Sequence, residues 1–281
     1  MRKGLSDASF IPNWGTERFL KAAKKAGFEG VELNLREMEG ELTTETSAAE
    51  ARRLVQLAEH CEIEIATLST ALLNTYPLSS GDTRIREKGL DIGGQLIDFA
   101  AEMGAKIVQI VPGAAFAETP YQVSYELAVE SLFQLGERAA SSGVIIGIEN
   151  VCNKFLPSPL EFVRFLDDVN HPCVKAYFDN GNALATGYPE HFVNLLKDRI
   201  VAVHVKDYWQ AAGDFVSILE GNTNWPAVMC ALDEIPFKGY LIATPHYPYA
   251  YCHDRHIEKY SQDLTSVLNL IKSNKKVNKT Y

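Results

Sequence analysis

Three polar residues in the second half of the chain stand where apolar runs end or break. Glu149 closes the run 144–148 (VIIGI), Asp179 follows 174–178 (VKAYF), and His204 interrupts 200–205 (IVAVHV), with Lys206 and Asp207 just beyond. Taking an ionised carboxylate out of water costs several kcal/mol unless it is paired or bound to a cation. Two carboxylates and an imidazole brought together therefore call for a positive charge between them. The donor set suits a divalent cation of intermediate hardness, Mn²⁺, Co²⁺ or Zn²⁺, with Mg²⁺ also in range. The competing reading has Glu149 and Asp179 capping the loops that follow, or pairing with Lys154 or Lys206. Repetition of the pattern at successive strand ends weighs against coincidence.

The elements that must position these residues follow a simple rhythm of short apolar run, turn and amphipathic stretch. Strands are expected at Gly30–Leu35, Glu64–Ser69, Lys106–Val111, Val144–Glu149, Val174–Phe178, Ile200–Val205 and Gly239–Ala243, with a weaker one near Lys3–Phe10. Most are apolar throughout rather than alternating, as in parallel strands covered on both faces. Helices are expected at Thr16–Ala26, Ser47–Cys61, Arg84–Met103, Tyr121–Ala140, Ser158–Val169, Glu190–Lys197, Trp225–Ile235 and His256–Lys272. Gly27, Gly104 and Gly143 stop three of them and feed the next strand through a left-handed turn. Ser158, Pro159 and Glu161 have the spacing of a capping box. Eight strand–helix alternations without a linker predict an α/β fold, a single (β/α)₈ TIM barrel over 1–272, with a polar tail over 273–281. A doubly wound open sheet is the alternative, weakened because no glycine-rich phosphate loop follows the first strand. In a barrel, the C-terminal strand ends are where catalytic groups gather.

Composition narrows the partners. With 27 Lys+Arg against 36 Asp+Glu the chain carries a formal charge of -9, which argues against nucleic acid as partner. Hydrophobic residues at 46% and charged residues at 22% are the balance of an ordinary globular protein with a large core. Five cysteines without a CxxC pair fit a reduced cytoplasm. The opening MRKGLSDASF has no apolar stretch of signal-peptide length, and no run is long enough to span a membrane.

Longer phrases carry a resemblance. GVIIGIENVCNKFLPSPLEFVRFLDDV, VKAYFDNGNALATGYPE and DRIVAVHVKDY, in that order, resemble the sugar phosphate isomerase/epimerase family with its xylose-isomerase-like barrel. GFEGVELNL, STALLNTYPLSS, VQIVPGA and FVSILEGNTNWPAVMCALDEIPFKGYL extend the likeness over nearly the whole chain. The resemblance implies a metal-dependent isomerase or epimerase that moves a proton next to the carbonyl of a ketose or ketose phosphate, the nearest activities being 3-epimerisation of L-xylulose 5-phosphate and of D-tagatose. It makes Glu149, Asp179 and His204 three of four metal ligands and Glu149 a base. It also implies a small-molecule sugar as partner, and a homodimer or homotetramer as a common assembly.

One departure matters. Family members carry a glutamate at the end of the eighth strand, as fourth ligand and second base, where this chain has Thr244. A threonine is no base at neutral pH, and inverting a carbon requires acid/base groups on both faces. Three readings compete: His246 substitutes; three ligands and water suffice for a one-base isomerisation; or the chain is a catalytically impaired sugar-binding barrel. An inosose-type dehydratase on the same site is a further alternative. Other candidate substrate contacts are Glu32 at the end of the second strand, Ser69 at the end of the third, and Lys154 and Lys206 for an anionic group. Asn182 stands where related epimerases often place a substrate-binding histidine, and Glu220 is a loop acid placed either to close over the site or to cap the helix at Trp225.

Overall fold

The computed structural model describes residues 1–10, 14–245 and 252–277, with side chains through Ile271. Ten strands and nine α-helices are found among these residues. The strands are β1 (Arg2–Ser6), β2 (Gly30–Leu35), β3 (Glu64–Thr70), β4 (Ile107–Ile110), β5 (Ile145–Glu149), β6 (Val174–Asp179), β7 (Ile200–Val205), β8 (Asp207–Trp209), β9 (Asp214–Val216) and β10 (Tyr240–Ala243). The helices are α1 (Thr16–Lys25), α2 (Ala48–His60), α3 (Thr83–Met103), α4 (Tyr121–Ser142), α5 (Pro159–Val169), α6 (Asn180–Thr186), α7 (Pro189–Leu196), α8 (Trp225–Glu234) and α9 (His253–Val277).

Strands β1–β7 and β10 pair in parallel as a closed barrel, in the order β1, β10, β7, β6, β5, β4, β3, β2. Closure is made by β1, which pairs with β2 on one side and with β10 on the other, Gly4 lying opposite both Gly30 and Ile242. The apolar strands are explained by two cores. A large one lies between sheet and helices, and a small one of Ala66, Tyr177, Ala202, Tyr240 and Ile242 fills the barrel interior. The open-sheet alternative is thereby excluded.

Local chemistry explains the helix ends. Gly104 and Gly143 end α3 and α4 at φ 73° and 66°, and Gly27 follows α1 at φ 87°, the left-handed region that costs glycine least. Ser158 accepts from the Glu161 amide at 3.2 Å, but the Glu161 carboxylate takes the Tyr121 hydroxyl at 2.6 Å, so only half of the expected box forms. The reciprocal box stands at Ser47 and Glu50. Helix α9 runs to Val277, beyond the expected end at Lys272, the sequence offering no Gly or Pro there to stop it.

Three elements, α6, β8 and β9, have no counterpart in the sequence expectations. Helix α6 starts directly at the end of β6, with Asp179 as its N-cap, and the β8–β9 hairpin follows β7. Seven residues rich in Gly and Asn carry too little periodicity to read as a helix.

Candidate metal centre and active site

The barrel's C-terminal end is lined by buried polar residues, one or two from each of seven strands: Ser6, Glu32 with Asn34, Ser69, Gln109, Glu149, Asp179 and His204. Neighbouring strands keep Glu149 opposite Tyr177 and Asp179 opposite His204. A ligand atom from each of Glu149, Asp179 and His204 lies within 4.8 Å of the others. His204 Nδ1 is 2.9 Å from Glu149 Oε1 and 3.9 Å from Asp179 Oδ2. The three residues come from consecutive barrel strands β5, β6 and β7, so the convergence is a property of the closed sheet.

Each carboxylate is held from behind. Asn182 donates from its backbone N–H to Asp179 Oδ1 at 2.8 Å, and from Nδ2 to Glu149 Oε1 at 3.3 Å and Asn150 O at 2.9 Å. Asn150 clasps the Asp179 backbone in both directions. Gln109 of β4 donates Nε2 to Glu149 Oε2. Lys206 Nζ pairs with Asp179 Oδ2 at 2.7 Å and sits 4.5 Å from the centre of the Phe215 ring.

Burial and charge act against each other throughout the site. Burial opposes a charge on His204, but Glu32 and Glu149 on either side of the ring outweigh it and push the imidazole up to about 10. Burial would likewise raise Glu149, yet His204 and Lys206 hold it below the usual carboxylate value. Burial pushes Asp179 up to about 6, with Lys206 pulling it down and Glu149 pushing it further up. Burial disfavours charge on Lys206 too, and Asp179 and Glu149 reverse that effect. A cluster of carboxylates beside an imidazolium and one lysine is a fitting receptor for a divalent cation, whose binding would require the imidazole to give up one proton.

The other expected site residues divide. Glu32 is 1% exposed and lies on the far side of the His204 ring from Glu149, its two oxygens each 3.1 Å from Nε2. Ser69, near the end of β3, is among the buried polar residues, and its Oγ has no hydrogen-bond partner among the described residues. Asn182 and Lys206 join the site through the carboxylates they contact. Lys154 stands exposed in the loop after β5 at φ 70°. Glu220 is exposed and pairs with Lys259 of α9 at 3.0 Å, so it neither contacts the three-residue cluster nor caps the helix at Trp225, whose N-cap is Asn224. His246 lies outside the described residues. Thr244 continues the ladder of β10, its N–H bonding Val205 O at 3.1 Å, and its buried hydroxyl has no partner among the described residues.

Sequence reasoning missed Gln109, Tyr177 and Thr67. Gln109 left a trace, being the polar break in the run KIVQIV; Tyr177 sits two residues before Asp179 on the same strand face and reads simply as an aromatic strand residue. Thr67 is an ordinary strand residue whose partner lies on a neighbouring strand.

Comparison with known proteins agrees with this architecture. The L-ribulose-5-phosphate 3-epimerase UlaE of Salmonella typhi is 25% identical over 190 residues, 67% of either chain. UlaE of Salmonella paratyphi C is 24% identical over 226 residues, covering 79% of this chain and 80% of its own. Among solved structures, a D-tagatose 3-epimerase-like protein superposes with TM-score 0.84 at 22% identity, covering 99% of this chain and 100% of that one. An L-ribulose 3-epimerase superposes with TM-score 0.79 at 16% identity, covering 99% and 97%. Residues 20–268 match the family described as xylose isomerase-like TIM barrel, to which this chain belongs.

Proposed function

We propose that this protein is a sugar isomerase or epimerase that moves a proton next to the carbonyl of a ketose or ketose phosphate with the help of a divalent cation. The relatives named as sugar-phosphate 3-epimerases support the reaction class. The observation that carries the metal-assisted form is the meeting of Glu149, Asp179 and His204 within 4.8 Å at the catalytic end of the barrel. Bound there, Mn²⁺, Co²⁺, Zn²⁺ or Mg²⁺ supplies the Lewis acidity that makes such a proton removable. Glu149 is the base: Lys206 favours its ionised form, as a bound cation would in place of the His204 proton, and Gln109 and Asn182 hold it in place. Ser69, whose hydroxyl has no partner among the described residues, offers it to a sugar hydroxyl, and Lys206 stands beside the carboxylates as a contact for an anionic group. Five unpaired cysteines support a cytoplasmic home.

Thr244 favours a second reading, in which the barrel binds a sugar but turns it over poorly, because the site shows no carboxylate at the end of β10. Incubating the protein with Mn²⁺ and a panel of ketoses and ketose 5-phosphates in D₂O separates the two. Deuterium at the carbon beside the carbonyl is expected; release of a dehydrated product points to the inosose-type alternative, and binding without either supports the impaired barrel. With three ligands sufficient, Thr244→Glu brings no gain in deuterium exchange, whereas a large gain identifies a crippled epimerase.

A further inference from the structure

We propose that Glu32 is a positioning residue: it holds the His204 imidazole in the tautomer and orientation that leave Nδ1 free to bind a divalent cation. The proposal rests on the metal-assisted reading above and concerns a residue outside the three-residue cluster.

The geometry is that of a buried clamp. Glu32, on β2, faces His204 of β7 across the barrel, with both carboxylate oxygens 3.1 Å from Nε2. One of those oxygens is already tied down, taking the Tyr177 hydroxyl at 2.8 Å and the Thr67 hydroxyl at 2.9 Å. The Tyr177 ring also packs on the imidazole, centroid to centroid 4.3 Å. Nδ1, on the opposite edge of the ring, faces Glu149 and Asp179.

An ionised carboxylate only accepts hydrogen bonds, so the ring edge facing Glu32 must carry a proton. A neutral imidazole has a single N–H; with that proton on Nε2, the lone pair is on Nδ1, pointing at the other two ligands. Tyr177 and Thr67 prevent the carboxylate from swinging toward the cation site, where a third carboxylate would compete with the sugar for the metal. Glu32 is 1% exposed and lies on the far side of the ring from Glu149, its oxygens taken by Nε2, Tyr177 and Thr67. It acts through His204.

The test is Glu32→Gln. With the amide oxygen on the Tyr177 and Thr67 hydroxyls, the NH₂ takes the place of the other carboxylate oxygen, 3.1 Å from Nε2. The ring then accepts there, its proton moves to Nδ1, and the lone pair for the metal is lost. Mn²⁺ binding to the metal-free protein, followed by calorimetry, is expected to weaken about 10–100-fold while the circular dichroism spectrum is kept. In Zn²⁺-loaded wild type, side-chain ¹H–¹⁵N correlation is expected to show His204 protonated at Nε2 and bare at Nδ1. Folded Glu32→Gln that binds Mn²⁺ as tightly as wild type overturns the proposal, as does a loaded wild type protonated at Nδ1. Should the variant fail to fold, Thr67→Val loosens the same carboxylate and is expected to weaken Mn²⁺ several-fold; unchanged affinity overturns the proposal. A wild type that takes up no Mn²⁺ overturns the metal-assisted reading itself, a result distinct from equal binding by wild type and variant.

Discussion

At the scale of single residues, the site is a balance between buried charge and the partners that make burial tolerable. Glu149 accepts from His204, Gln109 and Asn182 at once, which fixes both oxygens of the side chain proposed as the base. Glu149→Gln keeps the volume and removes the basicity. Turnover is expected to fall by about 10²–10⁴-fold, the range for loss of a positioned acid/base group, with the far-UV spectrum unchanged. Retained turnover in a folded variant takes Glu149 out of the mechanism. These partnerships were only partly legible in the sequence. Glu149, Asp179 and His204 declared themselves as polar ends of apolar runs. Glu32 looked the same and turned out to face the back of the imidazole, because its orientation is set by Tyr177 and Thr67 on two other strands.

At the scale of elements, closeness of backbone decides what can be changed. Gly89 lies on the face of α3 that approaches the loop after β3, and a methyl group there would overlap the Tyr76 carbonyl oxygen, which belongs to backbone and cannot rotate aside. Gly89→Ala should therefore lower stability despite alanine's better helix propensity, by about 1–3 kcal/mol as for overpacked cores. For a chain of this size each kcal/mol corresponds to roughly 2–4 °C of melting temperature. A melting temperature at or above that of the parent would show that the loop yields freely. Helix α6 makes the complementary point. It is too short to announce itself, yet it carries Asn182 back onto Glu149 and is started by Asp179 of the three-residue cluster.

At the scale of the whole molecule, stability and ligand binding are linked to pH and metal. Asp7, after β1, is pushed up to about 6 by burial, with Arg36 at 3.5 Å and the Asn34 hydrogen bonds pulling it down only in part. Its folded value lies above the unfolded one, so its protonated form favours the folded state. That contribution is complete below about pH 4 and is lost as pH rises through 6. Urea titrations of wild type and Asp7→Asn should therefore diverge with pH, the variant gaining on wild type by about 1–3 kcal/mol between pH 4 and 7. Parallel curves would mean that Arg36 fully compensates the burial. Mn²⁺ at a hundred times its dissociation constant should add about 2.7 kcal/mol to wild type, and chelator should reverse the gain. No shift on saturation with Mn²⁺ would contradict a cation site in the native barrel.

Much of this protein was settled by local chemistry that the chain carries in order. Apolar runs of strand length, amphipathic stretches of helix length and left-handed glycines between them determine the alternation, and eight alternations close into a barrel. Polar residues at the ends of runs mark the three-residue cluster because burying them needs a reason that local structure does not supply. The tertiary structure alone decided which polar groups meet. The contact between Glu32 and His204 joins residues 172 positions apart and depends on the register of a closed sheet. Ion pairing of Lys206 to Asp179, the seat of Tyr177 under the imidazole and the pairing of Glu220 with Lys259 of α9 have the same origin. Such contacts arise where strands distant in sequence bring side chains to one point, and no periodicity within a segment encodes that point.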